Sequence, residues 1–397
     1  MVTNSVQPPK LLASSRPRRL GAFGAEASVM GPGAASSRIY AMRFSSRHPF
    51  LGSGRRCREY AADLGARTLV ATTTKGNTAT HEEYLQLHRW MCMAKALDDR
   101  MHILVKQGRA PFVGSSRGHE GIQVASTAAI GPDDWLVPHY RALANAIVRG
   151  LTMKEWMLAV FAKADDPLSA GRNIPGGCYS YRRLKIASVS QVVGSWVPKA
   201  SGIAYAAKLK GEGSVTLCTF GDGATSQGDF HEGVNFAAAH KLPVVFVCEN
   251  NSYAISVPIR LQMANPNVAD RAAGYGIVGV TVDGTDVPAC YAVCKEAVER
   301  ARRGDGPTLI DAKIWRINSH TSEDNQLKYR TKEEIADAAE HDPIASFRTW
   351  LVERGWIATE DADRLQAECD QEASDAADWA EQQPDPIPED ALTNVFA

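Results

Sequence analysis

Short apolar runs alternate with helix-length segments through the middle of this chain, and this alternation constrains the fold more than any other feature. Four runs that are rich in β-forming residues and bounded by Gly, Pro or polar residues predict strands at 214–220, 243–249, 277–282 and 308–315. Apolar residues at helical spacing predict helices at 80–106, 153–163, 198–210, 229–240 and 287–303, with another starting near residue 118. Strands that alternate with helices of this length predict an α/β fold, a doubly wound parallel sheet with helices on both faces.

Polar loops follow two of these strands that are consecutive in the chain. The first strand runs into the sequence GDGATS at 221–226, and the second ends in ENNSY at 249–253. Open α/β sheets bind their ligands at the carboxyl ends of the strands, so we expect both loops at one site.

The residues of the two loops suit a diphosphate bridged by Mg²⁺. Gly221 and Gly223 allow the backbone to approach a phosphate closely, and the N–H groups of the helix that follows favour an anion. Mg²⁺ prefers oxygen ligands, which Asp222, the amide of Asn251 and the backbone carbonyl of Tyr253 can supply. A Gly-Asp-Gly turn alone is a weak signal of function, because such turns are common in loops. When Asn-Asn follows after one helix and one strand, the combination is the signature of thiamine diphosphate and magnesium binding. No GxGxxG motif follows a strand, which makes dinucleotide binding a poor alternative.

A family resemblance is carried by residues 221–258. This stretch reads GDGATSQGDFHEGVNFAAAHKLPVVFVCENNSYAISVP and resembles the alpha subunits of 2-oxo acid dehydrogenases nearly throughout. The resemblance extends from about Glu82 to the C-terminus, and it implies that this chain binds the diphosphate end of thiamine diphosphate. It also implies that Asp222, Asn251 and Tyr253 bind the metal and that the loop around the cofactor comprises Gly221, Gly223 and Ala224.

More site residues follow from the resemblance, one position at a time. Tyr140 and Arg141 match the pair that holds the diphosphate, although a Tyr-Arg pair considered alone is more typical of a surface turn. Val193 falls where the family's backbone receives the aminopyrimidine ring, with a core position as the alternative. His320 and Arg316 match residues that face the reactive carbon of the cofactor. We therefore expect His320 to act in catalysis and acyl transfer, and Arg316 to organise its loop, although an isolated His is more often structural.

Two positions depart from the family pattern near the expected diphosphate and substrate. Glu249 stands where an arginine is often found, and because a carboxylate cannot pair with phosphate, Arg141 is expected to carry more of that contact. Thr321 follows His320 directly, where kinase-regulated relatives carry a Ser. Phosphorylation of Thr321 would add a dianion that repels the substrate carboxylate.

A potassium site and the choice of substrate depend on two further stretches. Branched-chain members bind K⁺ near the sequence SVSQVVGSW at 188–196; Ser190 and Ser195 could serve, but Trp196 stands where an amide ligand is common, so K⁺ is left open. The sequence GRNIPG at 171–176 resembles branched-chain members, whereas VVGSWVP at 192–198 looks more like pyruvate and acetoin types. We favour a branched-chain 2-oxo acid over pyruvate as the substrate.

The resemblance also implies protein partners. No glutamate here matches the one that protonates the pyrimidine ring of the cofactor; in the family it belongs to a separate beta subunit. Single-chain thiamine enzymes also need two such domains and are considerably longer than 397 residues. We therefore predict that this chain is inactive alone, works in a heterotetramer of two alpha and two beta chains, and delivers the acyl group to a lipoyl-bearing acyltransferase.

Two other functions remain open. A transketolase-like half-enzyme would share the cofactor but transfer two-carbon units between sugars, and a requirement for lipoamide would separate it from a dehydrogenase. A non-catalytic paralogue would keep the fold in order to assemble or regulate a complex. The intact Asp222, Asn251 and His320 argue against a paralogue, whereas Glu249 keeps that alternative open.

Composition and the ends of the chain limit the remaining possibilities. A formal net charge of -1 suggests no nucleic-acid partner, and no apolar run reaches the roughly 18 residues of a membrane span. The 8 scattered cysteines include no CxxC pair and are expected to be reduced. Residues 1–75 are rich in Arg and Ser and predict a disordered, transit-like or spurious extension, before an α/β domain at 76–340 and a helical region at 341–397. We expect a bacterial cytoplasmic location, or the mitochondrial matrix if the extension is a transit peptide.

Overall fold

A six-stranded parallel sheet forms the centre of the structure, a computed structural model that describes residues 69–70, 79–173 and 177–393. Within these residues the sheet has the order β1-β7-β8-β4-β3-β2, and β5 and β6 form a separate antiparallel hairpin. The strands are β1 Leu69–Val70, β2 Trp135–Val137, β3 Thr216–Gly221, β4 Val244–Asn250, β5 Tyr253–Ala254, β6 Val257–Pro258, β7 Val278–Asp283 and β8 Thr308–Lys313.

Helices connect these strands, and three more α-helices of the described residues follow the last strand in the chain. The longest, α1, begins after Thr80, whose side chain accepts a hydrogen bond from the Glu83 backbone N–H, while the Glu83 carboxylate accepts one from the Thr80 backbone N–H. The helices are α1 His81–Lys106, α2 Glu120–Ala128, α3 Leu143–Val148, α4 Met153–Val160, α5 Trp196–Lys210, α6 Gly228–Ala239, α7 Ile259–Gln262, α8 Ala272–Tyr275, α9 Val287–Arg302, α10 Lys332–Glu340, α11 Pro343–Glu353 and α12 Thr359–Glu381.

Both faces of the sheet are covered, which explains why its central strands are apolar at nearly every position. Because successive side chains of a strand point to opposite faces, Val245 and Val247 pack into the core cluster that includes α1, α2 and α9. Phe246 and Cys248 pack into the second cluster, which includes α5 and α6. This two-layered covering confirms the predicted doubly wound α/β fold.

The last long helix packs against the first. Cys369, Ala373 and Ala377 of α12 belong to the same buried cluster as Leu97 and Leu104 of α1. The small alanine side chains allow the two helices to approach closely.

The predicted strands and helices are found with their ends shifted by a few residues, whereas β2, α3 and the β5–β6 hairpin are additional. Of the predicted extension at 1–75, only Leu69–Val70 are described, paired with β7; the other residues of that segment lie outside the described part of the chain. The domain boundary at 340/341 stays a prediction. No helix of the described residues combines the length and apolar character needed to cross a membrane.

Candidate active site

A cavity of about 200 Å³ lies where the two polar loops after β3 and β4 meet. A larger surface cavity of about 390 Å³, beside Trp90 and Arg149, contains none of the predicted site residues. The smaller cavity brings together all of the residues that the sequence singles out for cofactor, metal and catalysis: Tyr140, Arg141, Val193, Gly221, Asp222, Gly223, Ala224, Asn251, Tyr253, Arg316 and His320.

Asp222 is a buried carboxylate with one free oxygen. Its side chain follows β3 and is fully buried, and its Oδ2 accepts a hydrogen bond from Gln262 Nε2 at 3.0 Å. Its Oδ1 has no hydrogen-bond partner among the described residues. Burial raises the pKa of Asp222 to about 6, although the hydrogen bond from Gln262 opposes this shift. A buried anion with a free oxygen on a cavity wall is suited to bind a cation.

The loop after β4 is shaped by two residues with left-handed backbone. Ser252 has a φ of 64° and Ile255 a φ of 57°, which turn the chain into the β5–β6 hairpin. Asn251 Oδ1 accepts a hydrogen bond from Tyr253 N at 3.1 Å. Asn251 and Tyr253 thus stay at the cavity wall, opposite the loop that carries Asp222.

The two glycines of the first loop have different roles. A Cβ added to Gly223 would lie 3.0 Å from the Cβ of Ala254, so any side chain at this position would crowd the hairpin. A Cβ added to Gly221 would meet no atom within 4 Å. Since Gly221 lines the cavity, its missing side chain leaves that space open to a ligand.

Arg141 and His320 are joined by direct hydrogen bonds. The buried guanidinium of Arg141 donates to the backbone carbonyls of Ser115 and, at 3.0 Å, of His320. Its Nη2 also lies 3.1 Å from His320 Nδ1. Burial, followed by the charges of Arg141 and Arg316, lowers the pKa of His320 to about 4. Because a guanidinium only donates, Nδ1 of the neutral imidazole is the acceptor and its proton lies on Nε2.

Arg316 supports the loop that carries His320. It is almost fully buried and donates to the Ile255 carbonyl and to the Tyr329 hydroxyl, both at 2.9 Å. Asp324 accepts hydrogen bonds from the Tyr329 hydroxyl and, at 2.9 Å, from the His320 backbone N–H. Arg316 therefore both lines the cavity and organises the loop around His320.

Tyr140 and Val193 lie on other parts of the wall. The Tyr140 ring stands edge-on to the His320 ring, with 6.2 Å between their centroids. Val193 is 38% exposed, so it is not a core residue. The neighbouring Trp196 is buried and donates from Nε1 to the Thr219 carbonyl at 2.8 Å, which is a structural contact. Whether K⁺ binds near this segment stays an open prediction.

Glu249 does not line the cavity, and the expectation that Arg141 carries more of the diphosphate contact stays a prediction. Its fully buried carboxylate lies behind the wall, where Oε2 accepts hydrogen bonds from His119 Nδ1 at 2.7 Å and Gln123 Nε2 at 2.8 Å. Its Oε1 lies 3.0 Å from His139 Nε2, in an orientation outside hydrogen-bond geometry. Burial alone would raise the pKa of Glu249, but His139 and His119 outweigh it and hold this pKa well below its usual range.

The sequence analysis missed His119 and His139, which both line the cavity. One signal was available: a Glu at the end of the apolar run PVVFVC requires buried donors, and His139 directly precedes Tyr140. The distance along the chain between these residues hid their contact.

Comparison with known proteins agrees with this geometry. A family model described as the dehydrogenase E1 component matches residues 88–389. The chain belongs to the dehydrogenase E1 component family. This membership implies thiamine diphosphate as the cofactor and a beta subunit as partner of an E1 alpha chain.

Individual E1 relatives cover most of the chain. The 2-oxoisovalerate dehydrogenase subunit alpha of Bacillus subtilis is 43% identical over 319 residues, which are 80% of this chain and 96% of the relative. The 3-methyl-2-oxobutanoate dehydrogenase subunit alpha of Mycobacterium tuberculosis is 38% identical over 317 residues, 80% of this chain and 83% of the relative. The pyruvate dehydrogenase E1 component subunit alpha of Acholeplasma laidlawii is 36% identical over 295 residues, 74% of this chain and 82% of the relative.

Proposed function

We propose that this chain is the alpha subunit of a branched-chain 2-oxo acid dehydrogenase, which oxidatively decarboxylates its substrate with thiamine diphosphate and transfers the acyl group to lipoamide. The observation that carries the proposal is the cavity, because residues from five separate parts of the chain converge there with the groups that this chemistry needs. The similarity to the Bacillus subtilis and Mycobacterium tuberculosis alpha subunits supports the branched-chain substrate.

The residues at the cavity fit a magnesium ion. The free Oδ1 of Asp222 is a hard anionic ligand that is already desolvated. Asn251 Oδ1 and the Tyr253 backbone carbonyl would complete the protein ligands. Binding a cation would offset the unfavourable burial of the Asp222 charge.

The residues also fit a diphosphate. Arg141 and Arg316 line the cavity, where Arg141 donates to the carbonyls of Ser115 and His320, and Arg316 to the Ile255 carbonyl and the Tyr329 hydroxyl. None of these hydrogen-bond partners carries a negative charge, so the two buried guanidiniums favour a bound anion. Gly221 leaves room for phosphate oxygens to approach the backbone.

When bound, thiamine diphosphate supplies the nucleophilic carbon and the electron sink for decarboxylation. His320 contributes a proton held at Nε2, because Arg141 occupies Nδ1. A neutral imidazole with its proton at Nε2 can donate a hydrogen bond to an oxygen of the 2-oxo acid. Arg141 thus has two roles: it contributes charge for the diphosphate and sets the tautomer of His320.

The cavity is too small for a complete cofactor, since pockets that enclose a whole ligand are typically about 300–1,000 Å³, against about 200 Å³ here. Aliphatic side chains are exposed on the segments that line it, namely Val192, Ile255, Val257 and Leu261. Both observations support a beta subunit that covers the rest of the cofactor in a heterotetramer. A lipoyl-bearing acyltransferase then receives the acyl group, and the bacterial relatives support a bacterial cytoplasm as the compartment.

The experiment is turnover of a panel of 2-oxo acids by the chain co-expressed with its beta subunit, in thiamine diphosphate and Mg²⁺ with an artificial electron acceptor. We expect 2-oxoisovalerate to be preferred, and His320→Ala to lower kcat by roughly 100-fold because a positioned proton donor is lost, while cofactor binding persists. Preference for pyruvate would replace the substrate but keep the chemistry. Cofactor binding without turnover of any 2-oxo acid would favour the transketolase-like or non-catalytic alternatives.

A further inference from the structure

Glu249 lies at the centre of a buried polar cluster that joins the two halves of the cavity wall. We define this cluster by Glu249, His119, His139 and Gln123, each at most 3% exposed. His119 and Gln123 both donate to Glu249 Oε2, and His139 lies beside Oε1. The cluster contains three side chains from the segment 119–139 and one from β4.

One arm of the cluster reaches the segment that carries Tyr140 and Arg141. Gln123 Nε2 donates to the Arg141 backbone carbonyl at 2.7 Å, and the Ala144 backbone donates to Gln123 Oε1 at 3.2 Å. His139 Nδ1 accepts a hydrogen bond from Arg141 N at 3.4 Å. Glu249 therefore helps to fix the backbone from which Tyr140 and Arg141 extend.

The other arm reaches the amide of Asn251. Since Glu249 Oε2 can only accept, the hydrogen on His119 lies on Nδ1, which leaves Nε2 as an acceptor in the neutral ring. Asn251 Nδ2 lies 3.4 Å from that Nε2. This contact holds the amide nitrogen on the His119 side, so the amide oxygen is kept for the loop that ends in Tyr253.

We infer that Glu249 and His119 are positioning residues for the cofactor and its metal. Glu249 fixes the ring of His119, which orients the Asn251 amide. Through Gln123 and His139, Glu249 also holds the segment that carries Tyr140 and Arg141. The inference deepens the proposed function and rests on it. Residues behind the direct ligands of a metal typically change its affinity by roughly 10- to 100-fold when they are replaced.

The same side chains raise another possibility, because His119, His139 and Glu249 form a His₂Glu set whose ligand atoms lie within 4.8 Å of one another. Such a set is known from zinc enzymes. However, Glu249 Oε2 is already occupied by two hydrogen bonds, from His119 and Gln123. Oε1 and His139 Nε2 lie 3.0 Å apart without a hydrogen bond, so zinc binding is an outcome that the test must exclude.

The test measures the Kd of thiamine diphosphate at fixed Mg²⁺ by titration calorimetry on the complex with the beta subunit. Glu249→Gln and His119→Leu should each raise Kd by roughly 10- to 100-fold. His119→Gln should bind close to wild type, because an amide, like a neutral imidazole, has both an N–H that can donate to Glu249 and an acceptor atom for Asn251. If Glu249→Gln does not fold, the two His119 variants decide the question.

Asp134→Asn is the matched control. Asp134 is also a buried carboxylate with backbone and arginine donors, but it precedes β2 and so lies at the amino-terminal ends of the strands, away from the cavity. The Asp134→Asn substitution should lower thermal stability without changing the Kd of thiamine diphosphate, which separates positioning from general destabilisation.

Three results would overturn the inference. The first is wild-type Kd in both Glu249→Gln and His119→Leu, and the second is His119→Gln binding as weakly as His119→Leu. The third is one zinc per alpha chain, measured by elemental analysis after chelation, that disappears in Glu249→Gln. A wild-type complex that binds no cofactor would overturn the proposed function itself, and this inference with it.

Discussion

Asp222 and Glu249 are buried carboxylates at the carboxyl ends of two adjacent strands, yet their surroundings differ. Gly221 of β3 pairs with Glu249 of β4, so the two acids are neighbours across adjacent strands. Each keeps one oxygen without a hydrogen-bond partner. The other oxygen of Asp222 accepts from one amide and its pKa is raised, whereas the other oxygen of Glu249 accepts from His119 and Gln123, His139 lies beside its first oxygen, and its pKa is lowered. The difference teaches that burial alone does not decide the role of a carboxylate; the number and charge of the donors around it do.

The largest expected effect comes from removing the charge of Asp222. Asp222→Asn keeps the shape but leaves the bound cation without its anionic ligand, and breaking such a buried pair costs about 3–5 kcal/mol, or roughly 10²- to 5 × 10³-fold in cofactor affinity. Calorimetry with thiamine diphosphate and Mg²⁺ measures this effect. The loss should exceed that of Glu249→Gln, and equal losses would break the distinction between ligand and support.

The second prediction concerns the pH dependence of stability without cofactor. The folded pKa of Asp222 is raised to about 6 from an ordinary 3.8, so the folded state holds a proton that the unfolded state releases. Stability should therefore fall as pH rises from about 4 to about 6, by about 3 kcal/mol at most.

Thermal unfolding of the cofactor-free complex across this pH range tests the sign. Asp222→Asn should lack the fall. Glu249 should show the opposite sign, since its pKa is lowered: its contribution is present above the ordinary value of 4.5 and is lost as pH decreases below it. A wild-type profile identical to that of Asp222→Asn would contradict the raised pKa.

The smallest effect should come from Gln262, which donates to the second oxygen of Asp222. Gln262→Leu removes this hydrogen bond, so the pKa of Asp222 should rise further and the cofactor should bind less tightly. A net hydrogen bond contributes about 0.5–1.5 kcal/mol, which corresponds to roughly 2- to 10-fold in Kd. An unchanged Kd in the same calorimetric assay would mean that Gln262 does not tune the Asp222 carboxylate.

The central strands could be predicted from sequence because burial on both faces leaves a nearly continuous apolar signal, as in the run PVVFVC before Glu249. The strand Trp135–Val137 was missed because three residues carry no periodicity. The helix Leu143–Val148 was missed for a similar reason, since six residues span fewer than two turns. Short elements gain their stability from tertiary packing, which sequence patterns do not record.

The candidate site divides in the same way. Asp222 and Asn251 could be found because each follows a predicted strand, and strand ends meet at one edge of a parallel sheet. The partners of Glu249 could not be found, because His119 precedes it by 130 residues and the contact depends on how the helix after residue 119 packs. A motif predicts which residues face a ligand but not which residues support them from behind.

The contact between α1 and α12 has a consequence for how the chain is made. Arg100 of α1 pairs with Asp378 of α12 at 3.0 Å, although 278 residues separate them. During synthesis, the first long helix therefore emerges from the ribosome well before its packing partner has been translated. The part of its apolar face that α12 covers stays open until the chain is almost complete, so a chain released early would expose that part to solvent and to other nascent chains.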